Sequence, residues 1–253
     1  MKKLTAVTNP EVKEIVKLQQ AKHRAQTGLC VVEGSRAIET FINSKRYALD
    51  TLYVTFENLE TAKALAGKEH SVIVSPIVMK KISSATTPSG LLAVFKVGNQ
   101  VKKAIVGSGV VLAGVSDPGN MGTLIRTAAA IGMKNVVIID GADCWSPKVI
   151  QASAGTISMV NIIQTSWPNL IANKNKNKLI GLIVVGGKKI SELDSADLKN
   201  SLIVIGSEAH GINSDWLKDC DELITLEMPG ETESLNAAVA GSIAMYLATV
   251  KEI

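Results

Sequence analysis

The sequence predicts an α/β protein made of two successive layered domains, and three observations carry that expectation. Runs rich in Val and Ile alternate with amphipathic stretches along almost the whole chain, the pattern of strands covered by helices. The 253 residues are 46% hydrophobic and 20% charged, which supplies apolar material for two cores and excludes a mainly disordered chain. The polar stretch Gly98–Lys103 (GNQVKK) interrupts the alternation with no periodic apolar pattern. The expected division is therefore residues 1–98 and residues 104–253.

The elements follow in order. Asn9-Pro10 supplies a cap and first turn for a helix over Glu11–Gln26, with Val12, Ile15, Val16 and Gln19 inward and Lys13, Lys17 and Arg24 outward. Cys30–Glu33 reads as a strand, Ser35–Asn43 as a helix, Leu49–Thr55 as a strand and Leu59–Ala66 as a helix. Ser71–Val74 is a strand, Pro76–Ile82 a helix and Leu91–Lys96 a strand, which completes a small α/β layer domain. In the second half, strands are expected at Val110–Val115, Asn135–Asp140, Val160–Ile163, Leu179–Val185, Leu202–Ile205 and Glu222–Leu226. Helices are expected at Met121–Ile131, Pro147–Ala154 and Leu235–Val250, with Lys174–Lys178 (KNKNK) a mobile loop.

Composition removes several classes of function. Cys30, Cys144 and Cys220 are too few and scattered for a disulfide framework or a zinc site, which fits a reducing cytoplasm. His23, His70 and His210 share no metal-ligand spacing, so no metal is expected. The N-terminus has no apolar signal core. The uncharged stretch Ser234–Val250 is too short and too rich in alanine for a bilayer span, so no membrane role is expected. The net charge of +4 is uneven: residues 1–98 hold 14 Lys/Arg against 8 Asp/Glu, whereas residues 99–253 hold 13 against 15. A basic front half suggests a polyanion partner.

Three blocks carry the chemistry. Asp117–Ala128 (DPGNMGTLIRTA) follows a strand; Asn120 is expected to cap the next helix, and Arg126 to reach over its N-terminus, where anions bind. Gly206–Gly211 (GSEAHG) is a strand-to-loop turn whose amides can line a ligand, with Glu208 to brace a neighbouring loop and His210 at its tip. Leu226–Ala240 (LEMPGETESLNAAVA) enters the last helix through a Gly/Pro turn, with Thr232 or Ser234 as its cap. The small residues that follow, Ala237, Ala238, Ala240 and Gly241, suggest close approach of another backbone. Singly, each block is what caps and turns require. Gly114, Gly119 and Gly122, with Asp140 ending the next strand, also allow a Rossmann-type nucleotide site, although the spacing is not G-x-G-x-x-G.

Taken together the blocks resemble the signature motifs of the SpoU (TrmH) branch of the SPOUT RNA methyltransferases. The resemblance rests on Asn120, Gly122, Arg126 and Ala128, then Gly206, Glu208 and Gly211, then Ser234, Leu235 and Asn236. Lys17–Arg24, Cys30–Gly34 and Ser89–Phe95 resemble the family's substrate-binding domain. It implies an L30e-like first domain and a second domain with a mostly parallel sheet and a C-terminal trefoil knot. Also implied are S-adenosylmethionine as methyl donor, the ribose 2′-hydroxyl of structured RNA (rRNA ahead of tRNA) as acceptor, and a homodimer whose active site spans the subunit interface. Arg126, Asn120, Glu208, Ser234 and Asn236 would be catalytic. Gly206, Ser207, Glu208, Gly211, Leu226, Glu227, Met228, Ser234 and Leu235 would hold the donor, and Lys17, Lys22, Arg24 and Arg126 would contact RNA. In the third block Glu227 stands where the family usually has proline, with the proline displaced to Pro229. The other readings are a Rossmann-type enzyme and a catalytically silent RNA-binding protein on the same scaffold.

Overall fold

A computed structural model of the chain describes every residue except 68, 99–104, 195–197, 199, 231–233 and 251–253, with the backbone alone at 250. Its contacts divide the chain into two units, Met1–Asn99 with Asp143–Met159, and Gln100–Ala142 with Val160–Ile253. The division differs from the linear one in a single segment. Asp143–Met159, expected in the second domain, packs within the first unit. Long-range contacts place it there: Arg24 Nε donates to Asp143 Oδ2 at 2.9 Å, and the rings of Tyr47 and Trp145 meet edge-on at 5.3 Å. A reading of local periodicity does not register such contacts. The expected boundary, Gly98–Lys103, lies almost wholly outside the described residues.

Unit 1 contains β1 (Lys3–Leu4), α1 (Pro10–Lys17), α2 (Ala21–Thr27), β2 (Leu29–Glu33), α3 (Ser35–Ser44), β3 (Ala48–Val54), α4 (Leu59–Ala66), β4 (Ser71–Val74), α5 (Pro76–Ile82) and β5 (Leu91–Lys96). The sheet order is β1-β4-β3-β5-β2; β5 runs antiparallel to β2 and β3, and β4 parallel to β1 and β3. Asn9 and Ser75 cap α1 and α5 through their side chains. The helix expected over Glu11–Gln26 is two helices, broken at Leu18–Gln20. The break lets Leu18, rather than Gln19, join Val12, Ile15 and Tyr53 in the core, and it turns Arg24 inward.

Unit 2 contains β6 (Gly109–Ala113), α6 (Pro118–Ala130), β7 (Asn135–Ile139), β8 (Asn161–Gln164), α8 (Trp167–Asn173), β9 (Lys178–Leu182), β10 (Ser201–Gly206), α9 (Ser214–Leu217), β11 (Glu222–Ile224) and α10 (Ala237–Val250), whereas α7 (Pro147–Ala152) belongs to unit 1. All its strand pairs are parallel, in the order β11-β9-β10-β6-β7-β8. Every residue of β6, β7 and β10 is buried, as a sheet covered on both faces requires. The chain proceeds one way from β6 to β8 and then returns to the other side of β6. The switch point between β6 and β10 opens a crevice beyond the carboxyl ends of the strands, where Ala113 and Gly206 stand side by side. The KNKNK segment is not a free loop: Lys174 pairs with Asp221 at 2.6 Å, Asn177 is buried, and Lys178 opens β9. No described helix is long and apolar enough to cross a membrane.

Candidate active site

The site grows from loops that leave adjacent parallel strands. After β6, Ser116 and Asp117 lead into α6. Asp117, not Asn120, is the cap: its Oδ1 accepts from Asn120 N at 2.8 Å. Asn120 therefore lies within the first turn of α6, and its amide is free to reach outward. After β10 the chain makes a tight loop in which Ser207 and Gly211 exchange two backbone hydrogen bonds of 2.9 Å. Gly206 is required here, because a Cβ on it would fall 2.0 Å from the carbonyl carbon of Gly211. This loop carries Glu208 to the start of α6.

Glu208 is the hub. It accepts from Ser116 N at 3.2 Å, Ser116 Oγ at 3.1 Å, Asp117 N at 3.1 Å and Asn120 Nδ2 at 2.9 Å. Partial burial alone would raise its pKa, but the hydrogen bonds from Asn120, Ser116 and Asp117 prevail and hold it at about 2. The carboxylate is thus ionised throughout the physiological range. From the third block, Asn236 Nδ2 donates to Asn120 Oδ1 at 3.1 Å, while its own Oδ1 accepts from Ala238 N and Val239 N and caps α10. One hydrogen-bonded series, Glu208–Asn120–Asn236, joins the three blocks. Thr232, expected as that cap, lies outside the described residues. Ser234, the other expected cap, lines the neighbouring cavity instead.

That cavity has a volume of about 460 Å³ and lies beyond the carboxyl ends of β9, β10 and β11. Gly206, Ser207, Glu208, Gly211, Leu226, Met228, Ser234 and Leu235, all expected at a donor site, are in its lining. Its walls are largely apolar, from Leu182, Ile205, Ile212 and Leu217, and Glu208 is also in the lining, with its carboxylate held by Ser116, Asp117 and Asn120. Such a cavity suits an amphipathic ligand that carries positive charge. Glu227 departs from the expectation: its side chain pairs with Lys189 at 2.6 Å, and it borders a separate cavity with Thr225 and Ile243. A charged side chain next to an available lysine turns towards it and towards solvent. His210 also lines the main cavity, and its backbone N–H donates to Ser207 Oγ at 3.2 Å. The Rossmann alternative loses its geometry, because Gly114, Gly119, Gly122 and Asp140 are absent from this lining.

Arg126 is exposed on α6, outside the cavity lining, and no described residue pairs with it; Glu208 is occupied with the β6 loop instead. The expected RNA contacts in the first helical segment fare unevenly. Lys22 is exposed, whereas Lys17 pairs with Glu14 at 2.6 Å. Arg24 is a correction: it is 5% exposed, bonded to Asp143 and to Leu18 O at 2.6 Å, and cannot meet a phosphate. Sequence reasoning missed Ser116 and took Asp117 only as the start of a motif. The Ser-Asp pair directly after a strand was the available signal, since both are cap-forming residues.

Comparison with known proteins places these features in context. The family model described as "SpoU rRNA Methylase family" matches residues 108–246, and "MRM3-like substrate binding domain" matches residues 9–93. The chain is 26% identical to the 23S rRNA (guanosine(2553)-2'-O)-methyltransferase RlmP of Bacillus subtilis, over 97% of this chain and 98% of that one. It is 31% identical to a putative TrmH family tRNA/rRNA methyltransferase of Staphylococcus haemolyticus, over 71% and 78% of the two chains. The AdoMet-bound rRNA methyltransferase of Sinorhizobium meliloti shares the fold, with a TM-score of 0.88 at 24% identity over 100% of this chain and 98% of that one.

Proposed function

The chain belongs to the SpoU rRNA methylase family, and on that premise we propose that it methylates a ribose 2′-hydroxyl of structured RNA, ribosomal RNA ahead of transfer RNA. S-adenosylmethionine, bound in the cavity beside Gly206, supplies an electrophilic methyl group on a cationic sulfur. The observation that carries the reading is the hydrogen-bonded series Glu208–Asn120–Asn236 at the edge of that cavity. It fixes three loops that are far apart in sequence, as positioning of two reactants requires.

In this reading Glu208 adds negative charge beside a cationic donor and clamps the β6 loop. Asn120 and Asn236 orient the acceptor ribose, and Ser234 shapes the cavity mouth. Arg126 remains protonated at all relevant pH, so it acts by charge, not as a base. Placed beside the 2′-hydroxyl it favours the alkoxide and anchors the neighbouring phosphate. Because Arg126 lies outside its own chain's cavity, we assign it to the cavity of a second copy. The helix pair that bears it supports this: α6 and α10 are linked by Thr127 Oγ1 and Ser242 Oγ at 2.9 Å, and α10 exposes Val239, Ile243, Tyr246 and Leu247. The homodimer, the C-terminal trefoil knot and a cytoplasmic location belong to the same proposal.

The test is transfer of labelled methyl from S-adenosylmethionine to rRNA, with 2′-O-methyl sites mapped in RNA from cells that lack the protein. A site lost in those cells and restored in vitro supports the reading. RNA binding with no uptake of S-adenosylmethionine by calorimetry leaves the silent scaffold instead.

A further inference from the structure

Four lysines of unit 1 have described carboxylate partners: Lys2 pairs with Glu11, Lys17 with Glu14, Lys63 with Glu60 and Lys96 with Asp50. Lys80 has no described partner, and it lines a groove of about 410 Å³. The groove stands where β3 and β4 end and β5 begins; Thr55, Glu57, Asn58 and Ser89 supply its polar wall and Met79 its apolar side. Two large apolar side chains come from the segments that form it. Phe56, between lining residues Thr55 and Glu57, is 72% exposed, and Ile77, between lining residue Pro76 and buried Val78, is 71% exposed. No other large apolar side chain described in unit 1 is as exposed.

The polar wall is set by the backbone. Gly90 has φ +80°, and a Cβ there would lie 2.3 Å from Asn58 Nδ2 and 2.8 Å from Thr55 Oγ1. Only glycine leaves room for Asn58 to donate to Thr55 Oγ1 at 3.0 Å, which keeps the Asn58 carbonyl oxygen as an acceptor. An exposed aromatic ring beside the groove, with one cation that has no described partner and a wall of acceptors inside it, forms a combination with a definite chemistry. The ring offers a stacking face, the ammonium suits a phosphate, and the acceptors suit the N–H groups of a base edge. A polyphosphate or an acidic peptide would meet the Glu57 carboxylate without compensation.

We propose that this groove holds one unpaired nucleotide of the RNA substrate, with Phe56 stacked on the base, Lys80 at a flanking phosphate and Glu57 accepting from the base edge. The proposal rests on the RNA reading above. The volume falls in the range of small-ligand sites, about 300–1,000 Å³.

The test uses the full chain and a labelled single-stranded RNA oligonucleotide of mixed sequence, with affinity measured from about 50 to 200 mM salt. Phe56→Ala should weaken binding about tenfold through lost stacking. Lys80→Ala should lower the slope of log affinity against log salt by about 0.7, one single-strand phosphate contact. Glu57→Gln separates base recognition from phosphate attraction: weaker binding supports the proposal, and tighter binding overturns it, because the carboxylate would then only repel. Thermal unfolding and S-adenosylmethionine uptake, read on the same variants, should stay at wild-type values, since these side chains are exposed or line a groove in the other unit. Wild-type methylation of RNA with unchanged affinity and slope in Phe56→Ala and Lys80→Ala would overturn the groove and leave the enzymatic reading standing. Failure of the wild type to bind or methylate any RNA would overturn both.

Discussion

Two arginines show how far residue type alone can be trusted. Arg24 and Arg126 both read as cations on helix faces, yet one is enclosed and the other bare. Arg24 gives its guanidinium to Asp143 and Leu18 O, so Arg24→Ala leaves a carboxylate without its partner and should cost about 3–5 kcal/mol in unfolding free energy. The salt dependence of RNA binding should not change, which separates a structural arginine from a phosphate contact. Arg126→Ala should reverse the pattern, with unfolding unaltered, donor uptake intact and turnover lowered roughly 100- to 1,000-fold. Near wild-type turnover would remove Arg126 from the mechanism. Glu208 allows a pH test. Its folded pKa of about 2 lies below the unfolded value near 4.5, so its stabilisation is complete above that value and is lost as pH falls towards 2. The excess stability of wild type over Glu208→Gln, measured by urea unfolding, should shrink through that interval. A constant difference would mean that the hydrogen bonds do not depend on the charge.

Elements were legible where their signals are local. Leu59–Ala66, Ser71–Val74, Pro76–Ile82 and Leu91–Lys96 have the bounds that periodicity and punctuation assign. The short elements were not: β1 has two residues and α9 four, too few for either period to repeat. α6 starts at Pro118 rather than at the expected Met121, because proline suits the first turn of a helix capped by Asp117. The small residues of α10 suggest close approach of another backbone, but at Gly241 it is side chains that approach. A Cβ on Gly241 would meet Ile205 Cδ1 at 2.4 Å and Leu124 Cδ2 at 2.7 Å. Gly241→Val should therefore destabilise unit 2 by about 1–3 kcal/mol, seen as a lower Tm with the unfolding slope unchanged. A neutral result would mean that α10 can shift on the sheet without cost.

For the molecule as a whole, the order of the motif blocks conveyed the family and the parallel sheet, but not the contacts that join separate segments. The transfer of Asp143–Met159 to unit 1 rests on Arg24, Tyr47 and Ala37, each about a hundred residues away. No local pattern encodes such pairings. The proposed dimer belongs to this scale. Tyr246→Glu with Leu247→Asp should give a monomer by sedimentation and abolish turnover, because Arg126 would lose the cavity it serves. Mixing inactive Arg126→Ala protomers with inactive Gly206→Ala protomers should restore activity, and absence of rescue would argue for a site within one chain.

The series Glu208–Asn120–Asn236 has a sense of direction. A carboxylate can only accept, so Asn120 must turn its nitrogen to Glu208 and its oxygen to Asn236. Asn236 must then present nitrogen to Asn120 and oxygen to the amides that open α10. The handedness of one charge is thereby copied, amide by amide, into the cap of the final helix. Such a relay admits no partial change. Asn236→Asp sets oxygen against oxygen, and a double variant at Asn120 and Asn236 should lose little more than either single one. Three loops that fold from distant parts of the chain are constrained to change together or not at all.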